Sequence, residues 1–278
     1  MTLLVVGASG YSGSRLARVA LSAGWRVAGT YWRSAPGTSA PGTAGIDWFR
    51  LDVTDAAAVA ALMSTVEPAA VVNAAYSQPD WAVTAVGAAN VAVAARAAGA
   101  RLVHMSSDAI FAGRPSPYVE DDEPSPVYPY GAAKAAAELA VRAVDPGAAL
   151  VRTSMIVGDG DSKQHRLSLD LALGRVRGAL FTDMIRCPIA VDDLASALLE
   201  LVTLDYAGVL NVAGTDAVDR HELGRRIARH HGVDPDLVPA GTMASAGFRG
   251  PGELRLDSSR AASLLGTRLR GVDEFLPR

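Results

Sequence analysis

The sequence predicts an α/β fold: a doubly wound parallel sheet with helices on both faces, followed by a small C-terminal lobe. Three observations carry that expectation. Short apolar runs rich in β-branched residues alternate with longer helix-favouring segments as far as Val157, the pattern of a parallel sheet covered by helices. Half of the 278 residues are hydrophobic and only 20% are charged, which is ample for a large core and unlike a disordered chain. The first apolar run ends in GASGYSG, a glycine-rich turn that opens a helix.

Taken in order, LLVV (Leu3–Val6) is read as a buried strand. SRLARVALSAG (Ser14–Gly24) has helical spacing and stops on a glycine. Trp25–Trp32 is a second strand, and a third precedes Asp52. Asp55–Val66 is a helix capped by Thr54 or Asp55. Ala69–Ala75 is a strand, Trp81–Ala100 a long helix and Arg101–Ser107 a strand. A polar, proline-rich loop then leads to an alanine-rich helix from Gly131, with Tyr130 at its mouth. Ala149–Val157 is the next strand. Beyond it the alternation weakens. Val191–Val202 reads as an amphipathic helix, Gly208–Gly214 as a strand, and Asp219–Gly232 as a helix whose Asp219 and Glu222 resemble a capping box. The expected organisation is a nucleotide-binding Rossmann domain over 1–157, with late sheet elements from about 186–214. Residues 158–185 and 215–278 are expected to form a substrate-binding lobe. SAPGTSAPGTAG (Ser34–Gly45) reads as a surface loop.

The bulk properties exclude several functions. The net charge is −3 with no long run of one sign, so no nucleic-acid or anionic-membrane surface is expected. A single cysteine, Cys187, allows no internal disulfide and no cysteine-cluster metal site, which fits a reducing cytoplasm. MTLLVVGASG lacks the basic start and long apolar core of a signal peptide, and no stretch has the run of apolar residues that a membrane helix needs. His, Asp and Glu show no metal-site spacing. His230 and His231, on an arginine-rich helix, are expected in solvent, as is the run Asp121, Asp122, Glu123. His104 is expected to be packed or hydrogen-bonded inside its strand, and Cys187 to be a small packing residue.

In a wound parallel sheet, ligands sit at the carboxyl ends of the strands. The first such end carries Gly7, Gly10 and Gly13. Glycine permits the tight turn and a close approach of backbone to a pyrophosphate, and the helix N-terminus adds free N–H groups and partial positive charge. Ser9 and Tyr11 belong to the same turn. After the second strand, an NAD site carries an acid on the ribose. Here Tyr31, Trp32, Arg33 and Ser34 stand instead, and Arg33 and Ser34 suit a 2′-phosphate, which points to NADP(H). Asp52, with Val53 beside it, follows the third strand and is expected near the adenine amino group. Asn73, followed by Ala74 and Ala75, closes the fourth strand and is expected to order backbone near the cofactor.

Two further strand ends carry chemistry. Ser106 and Ser107 close a strand where a hydroxyl reaches a ligand. Tyr130 and Lys134 stand four apart on a helix, hence on one face. A tyrosine has an ordinary pKa near 10. A neighbouring ammonium stabilises the phenolate, so such a tyrosine can give a proton to a carbonyl oxygen near neutral pH. Tyr128, six positions from Lys134, faces elsewhere.

These residues together resemble the extended short-chain dehydrogenase/reductases: the G-x-x-G-x-x-G turn, the N-A-A strand end, the serine before the loop and Y-x-x-x-K. SSDAIFAG followed by SPYVEDDEPSPVYPYGAAKAAAE is similar to the corresponding pattern of dTDP-4-dehydrorhamnose reductases, and LVRTSMIVG, CPIAVDDLASALLEL, LNVAGTDAVDRHELGRRIA and LRLDSSRA follow in that family's order. The resemblance implies that Ser107 hydrogen-bonds the substrate carbonyl, Tyr130 is the general acid, and Lys134 tunes it and holds the nicotinamide ribose. It further implies hydride transfer from NADPH to the C4 ketone of a nucleotide-linked deoxysugar, and a homodimer would suit it. Thr84 stands where many members of the superfamily carry an asparagine. Met155, Met184 and Gly250-Pro251 also depart from the family pattern near the expected sugar pocket. Two rival readings remain open: a non-catalytic NADP-binding regulator resembling the β subunit of methionine adenosyltransferase, and a nucleotide-sugar epimerase or dehydratase or a ketoreductase acting on a different substrate.

Overall fold

The structure is a computed structural model that describes residues 1–34, 44–158 and 162–277, so most of the loop expected over Ser34–Gly45 lies outside the described residues. The chain forms two compact units. The first comprises Met1–Ser107, Pro129–Arg152 and Ala195–Leu210. Its strands are β1 (Thr2–Val6), β2 (Arg26–Tyr31), β3 (Ile46–Arg50), β4 (Ala70–Asn73), β5 (Arg101–Met105), β6 (Ala149–Arg152) and β7 (Gly208–Asn211, whose last residue falls in the second unit). They form a seven-stranded sheet in the order β7-β6-β5-β4-β1-β2-β3. The pairings from β3 through to β6 are all parallel, with Leu4 opposite Ala28 on one side and Val71 on the other. The order reverses between β1 and β4, the crevice where such sheets bind ligands.

Leu3 to Val6 are fully buried, which is why β1 reads as a continuous apolar run instead of an alternating one. The helices are α1 (Tyr11–Ser22), α2 (Ala56–Val66), α3 (Gly87–Ala97) and α4 (Pro129–Val144). One core cluster joins Leu4, Val6, Val71, Leu102 and Leu150 of the sheet to Val59, Leu62, Val91, Ala137 and Val141 of the helices. Burying an aliphatic side chain of Val or Leu size contributes about 1.5–3 kcal/mol, so a cluster of this size contributes heavily to the unit's stability. Asp55 caps α2 by accepting from Ala57 N and Ala58 N, each at 3.0 Å.

The structure redraws several boundaries. Helix α1 starts at Tyr11, ahead of Ser14, because Gly10 already has the extended backbone of an N-cap. β4 and β5 stop at Asn73 and Met105, short of Ala75 and Ser107, and so free the residues that follow for a ligand. The helix expected from Trp81 begins as a π-turn over Ala82–Val86. There Thr84 Oγ1 donates to Ser77 O at 2.7 Å and Asp80 Oδ1 accepts from Val83 N at 3.2 Å, side-chain bonds that compete with regular helical pairing. Helix α4 starts at Pro129, whose missing N–H costs nothing in a first turn, so Tyr130 is inside the helix.

The second unit comprises Asp108–Tyr128, Thr153–Leu194 and Asn211–Arg278. It therefore includes Asp108–Tyr128, a stretch that the sequence reading placed within 1–157. The strand expected over Ala149–Val157 is broken after Arg152, and Ile156–Val157 pairs instead with Ile189–Ala190. Helix α5 (Lys163–Ala172) packs on α7 (Arg220–His230), while α6 (Val191–Thr203) runs through the boundary at Leu194 and Ala195. Asp219 caps α7 by accepting from Glu222 N at 2.8 Å. His230 and His231 are exposed and still engaged: His231 Nε2 meets His165 Nδ1 at 3.0 Å and His230 Nδ1 meets Pro277 O at 2.9 Å. Asp122 is tied down too, its Oδ2 accepting from Val119 N at 2.7 Å and from Arg114. Cys187 is buried, its N–H donates to Ser154 Oγ at 3.2 Å, and burial pushes its thiol pKa up, as suits a packing residue. No described helix is long and apolar enough to cross a membrane.

Candidate active site

The glycine turn is built around backbone contact. Gly7 has φ +86°, and a Cβ there would lie 2.9 Å from Ala75 Cα and N. A Cβ on Gly13 would lie 2.3 Å from Gly7 O, so α1 can approach β1 this closely only without a side chain. Gly7 N donates to Thr30 Oγ1 at 2.8 Å and Ser9 N to Thr30 O at 3.2 Å, which fixes the turn against β2. Gly10 offers no side-chain cap, so the positive end of α1 is presented to the turn itself.

A cavity of about 530 Å³ opens at these strand ends within the first unit. Of the expected cofactor residues, Gly7, Ser9, Gly10, Arg33, Asp52, Val53, Ala74 and Ala75 line it. Gly13 and Asn73 act from behind: Asn73 is buried, and its Oδ1 accepts from Ala75 N at 3.1 Å. Tyr11 opens α1, and Ser34 is exposed beyond the lining. Asp52 Oδ1 accepts from Thr54 Oγ1 at 2.7 Å and Thr54 N at 2.9 Å. These bonds, the hydroxyl first, hold its carboxyl below its ordinary value. Asn90 Nδ2 pins the same loop through Val53 O at 2.9 Å. The lining also includes Thr30, Trp32, Thr54, Tyr76, Ser77 and Asp80, none of which the sequence assigns to the cofactor. Several lie just past a strand end, the signal that had pointed to Ser107. A φ-positive glycine, a backbone approach that a Cβ would block, and an adjacent arginine suit a nicotinamide dinucleotide.

Tyr130 and Lys134 lie in the first two turns of α4. Tyr130 is half-buried, its ring centroid 5.9 Å from that of Tyr76. Lys134 is only 3% exposed, its Nζ donates to Met105 O at 2.8 Å, and it lies 5.3 Å from the Tyr76 centroid. Tyr76 thus contacts both members of the pair. Burial lowers the Lys134 ammonium to a pKa of about 8, against the opposing pull of Glu138. Glu138 itself is locked to Arg152 by Nε–Oε1 at 3.1 Å and Nη2–Oε2 at 2.9 Å, with both side chains buried. Ser107 is half-buried just past β5, whereas Ser106 is buried, its N–H donating to Val151 O at 2.7 Å. Tyr128 falls in the second unit, where burial first and then Asp108 push its hydroxyl up to about 12. The Thr84 hydroxyl is committed to Ser77, donating to its carbonyl and accepting from its N–H at 3.0 Å. His104 is packed, with neither ring nitrogen hydrogen-bonded among the described residues, and burial, then Lys134, hold it well below its ordinary pKa.

Comparison with known proteins identifies the family. Residues 1–277 match the family described as RmlD substrate binding domain. The Haloferax volcanii protein named Probable low-salt glycan biosynthesis reductase Agl14 is 31% identical over 261 residues, 88% of this chain and 85% of that protein. The dTDP-4-dehydrorhamnose reductase of Mycobacterium tuberculosis is 35% identical over 217 residues, 72% of this chain and 70% of that protein. The fold matches the crystal structure of dTDP-4-dehydrorhamnose reductase from Bacillus anthracis in complex with NADP, with a TM-score of 0.82 at 24% identity over 100% of this chain and 97% of that one. From the glycine turn of β1 to the last segments of the second unit, this chain belongs to the RmlD substrate binding domain family.

Proposed function

We propose that this protein is an NADPH-dependent reductase of a keto group, most directly the C4 ketone of a nucleotide-linked deoxysugar. One observation carries the reading: the buried Lys134, anchored to Met105 O, stands one helical turn from Tyr130 in the unit that holds the glycine cradle. The name of the Mycobacterium tuberculosis relative supports the substrate class. When bound, NADPH supplies the hydride. Tyr130 protonates the carbonyl oxygen, and the Lys134 ammonium stabilises the phenolate that remains. Ser107 donates to the same carbonyl and orients it. Lys134 also holds the nicotinamide ribose. Gly7, Gly10 and the start of α1 receive the pyrophosphate, and Arg33 with Ser34 takes the 2′-phosphate. Asp52, oriented by its bonds from Thr54, accepts from the adenine amino group. The second unit, with 158–185 and 215–278, supplies the substrate lobe.

The test is NADPH oxidation against a panel of nucleotide-linked 4-ketosugars. Turnover by the wild type, reduced about 10²–10⁴-fold in Tyr130→Phe, supports the reading. NADPH binding with no turnover on any member of the panel argues for a regulatory binder.

A further inference from the structure

Trp32 stands just past β2, lines the cavity and is 49% exposed. Arg50 ends β3 in register with Tyr31. Its guanidinium carbon lies 5.3 Å from the centroid of the Trp32 ring, and its Nε donates to Trp32 O at 3.3 Å. The cation therefore backs the indole through its ring and its carbonyl together. Arg33, next in the chain, lines the same cavity. Among the described residues neither Arg33, which lines the cavity, nor Arg50, which lies against Trp32 just outside the lining, is in an ion pair, and the carboxylate on this side of the lining, Asp52, is bonded to Thr54.

The strand order decides what that rim faces. A dinucleotide whose pyrophosphate rests on the turn after β1 sends one nucleoside to each side of it. Tyr130 and Lys134 stand on the β4–β5 side, since Lys134 is bonded to the end of β5. The β2–β3 side is left for the adenosine half. It offers a flat aromatic surface and the Arg33 guanidinium, with the Arg50 guanidinium next to the indole, the complement of a purine carrying a phosphate.

We propose that Trp32, backed by Arg50, is the stacking platform for the adenine ring, and that Arg50 joins Arg33 in receiving the 2′-phosphate. The proposal rests on the nucleotide reading of the cavity and adds the residues that grip one end of the ligand.

Calorimetric titration of the full chain with 2′,5′-ADP and with 5′-AMP tests it. Trp32→Ala weakens both fragments by about 10-fold, and Trp32→Phe keeps most of the affinity. Arg50→Gln weakens 2′,5′-ADP by about 10-fold and 5′-AMP far less, since the lost contact is charge-assisted. Unchanged affinity for both fragments in Trp32→Ala overturns the platform, and equal losses for both fragments in Arg50→Gln overturn its phosphate role. A wild type that binds neither fragment overturns the whole inference. Neither fragment carries nicotinamide, so the two readings fail separately. Fragment binding without ketone turnover removes the reductase and leaves the platform; turnover with unaltered fragment binding in Trp32→Ala does the reverse.

Discussion

The Lys134 ammonium donates to the Met105 carbonyl at 2.8 Å, and so the cation of α4 is tied to the end of β5 just before Ser107. That bond places the candidate acid, its cationic neighbour and the serine at one strand end. It also explains how a side chain only 3% exposed keeps a polar partner.

The first prediction concerns pH. Burial brings the Lys134 pKa down from 10.5 to about 8. The charge that stabilises a Tyr130 phenolate is present below that value and lost above it. Ketone reduction is therefore expected to fall as pH rises through about 8 in a kcat/KM profile. The stability effect has the opposite sign. Between about 8 and 10.5 the unfolded chain holds the proton that the folded one has lost, so this lysine's contribution to stability rises with pH across that window.

Lys134→Met separates function from stability. It removes a buried charge whose desolvation is unfavourable at pH 7. Activity is expected to drop at least about 100-fold while Tm stays the same or rises, which kinetics and a thermal melt on one preparation would check.

Glycine substitutions should divide by what a Cβ meets. At Gly13 it would strike Gly7 O at 2.3 Å, and at Gly7 it would add strain at φ +86° to backbone contact at 2.9 Å. Gly7→Ala and Gly13→Ala are each expected to cost about 2–3 kcal/mol and to weaken nucleotide binding. Gly24, at φ +85° with nothing within 4 Å, is the control. Gly24→Ala is expected to cost about 1–2 kcal/mol with binding unchanged, by denaturant unfolding and titration.

Glu138→Ala removes the carboxylate that the buried Arg152 grips with two nitrogens. Breaking a buried pair from one side costs about 3–5 kcal/mol, so a large loss of Tm is expected. Glu138→Gln, which keeps the shape and some hydrogen bonding, should lose less.

Arg33→Ala is expected to weaken NADPH by about 10-fold and leave NADH nearly unchanged, because only NADPH presents a phosphate at that position. Fluorescence titration with both nucleotides reads this directly.

Much of this arrangement was legible in the sequence, for identifiable reasons. Leu3–Val6 and the glycines after them form a strand and turn through local rules: apolar continuity, then residues that accept φ above zero. Tyr130 and Lys134 share a helix face by spacing alone. The long-range partners were not legible. Nothing in the local sequence says that Tyr76 will lie against both Tyr130 and Lys134, that Thr30 will receive the Gly7 N–H, or that Arg50 will back Trp32 across β2 and β3. Those contacts depend on which strands become neighbours. The π-turn at Ala82–Val86 was hidden for a related reason: Thr84 reads as an ordinary helix residue until Ser77 is placed beside it. The break after Arg152 was hidden because Thr153 to Val157 are as strand-favouring as the residues before them.

The most direct measurement is NADPH oxidation by the wild type and Tyr130→Phe with nucleotide-linked 4-ketosugars near pH 7, with NADPH binding measured in parallel. The account predicts wild-type turnover that falls about 10²–10⁴-fold in Tyr130→Phe, with nucleotide affinity retained. A Tyr130→Phe variant that binds NADPH and reduces the ketone at the wild-type rate would contradict it.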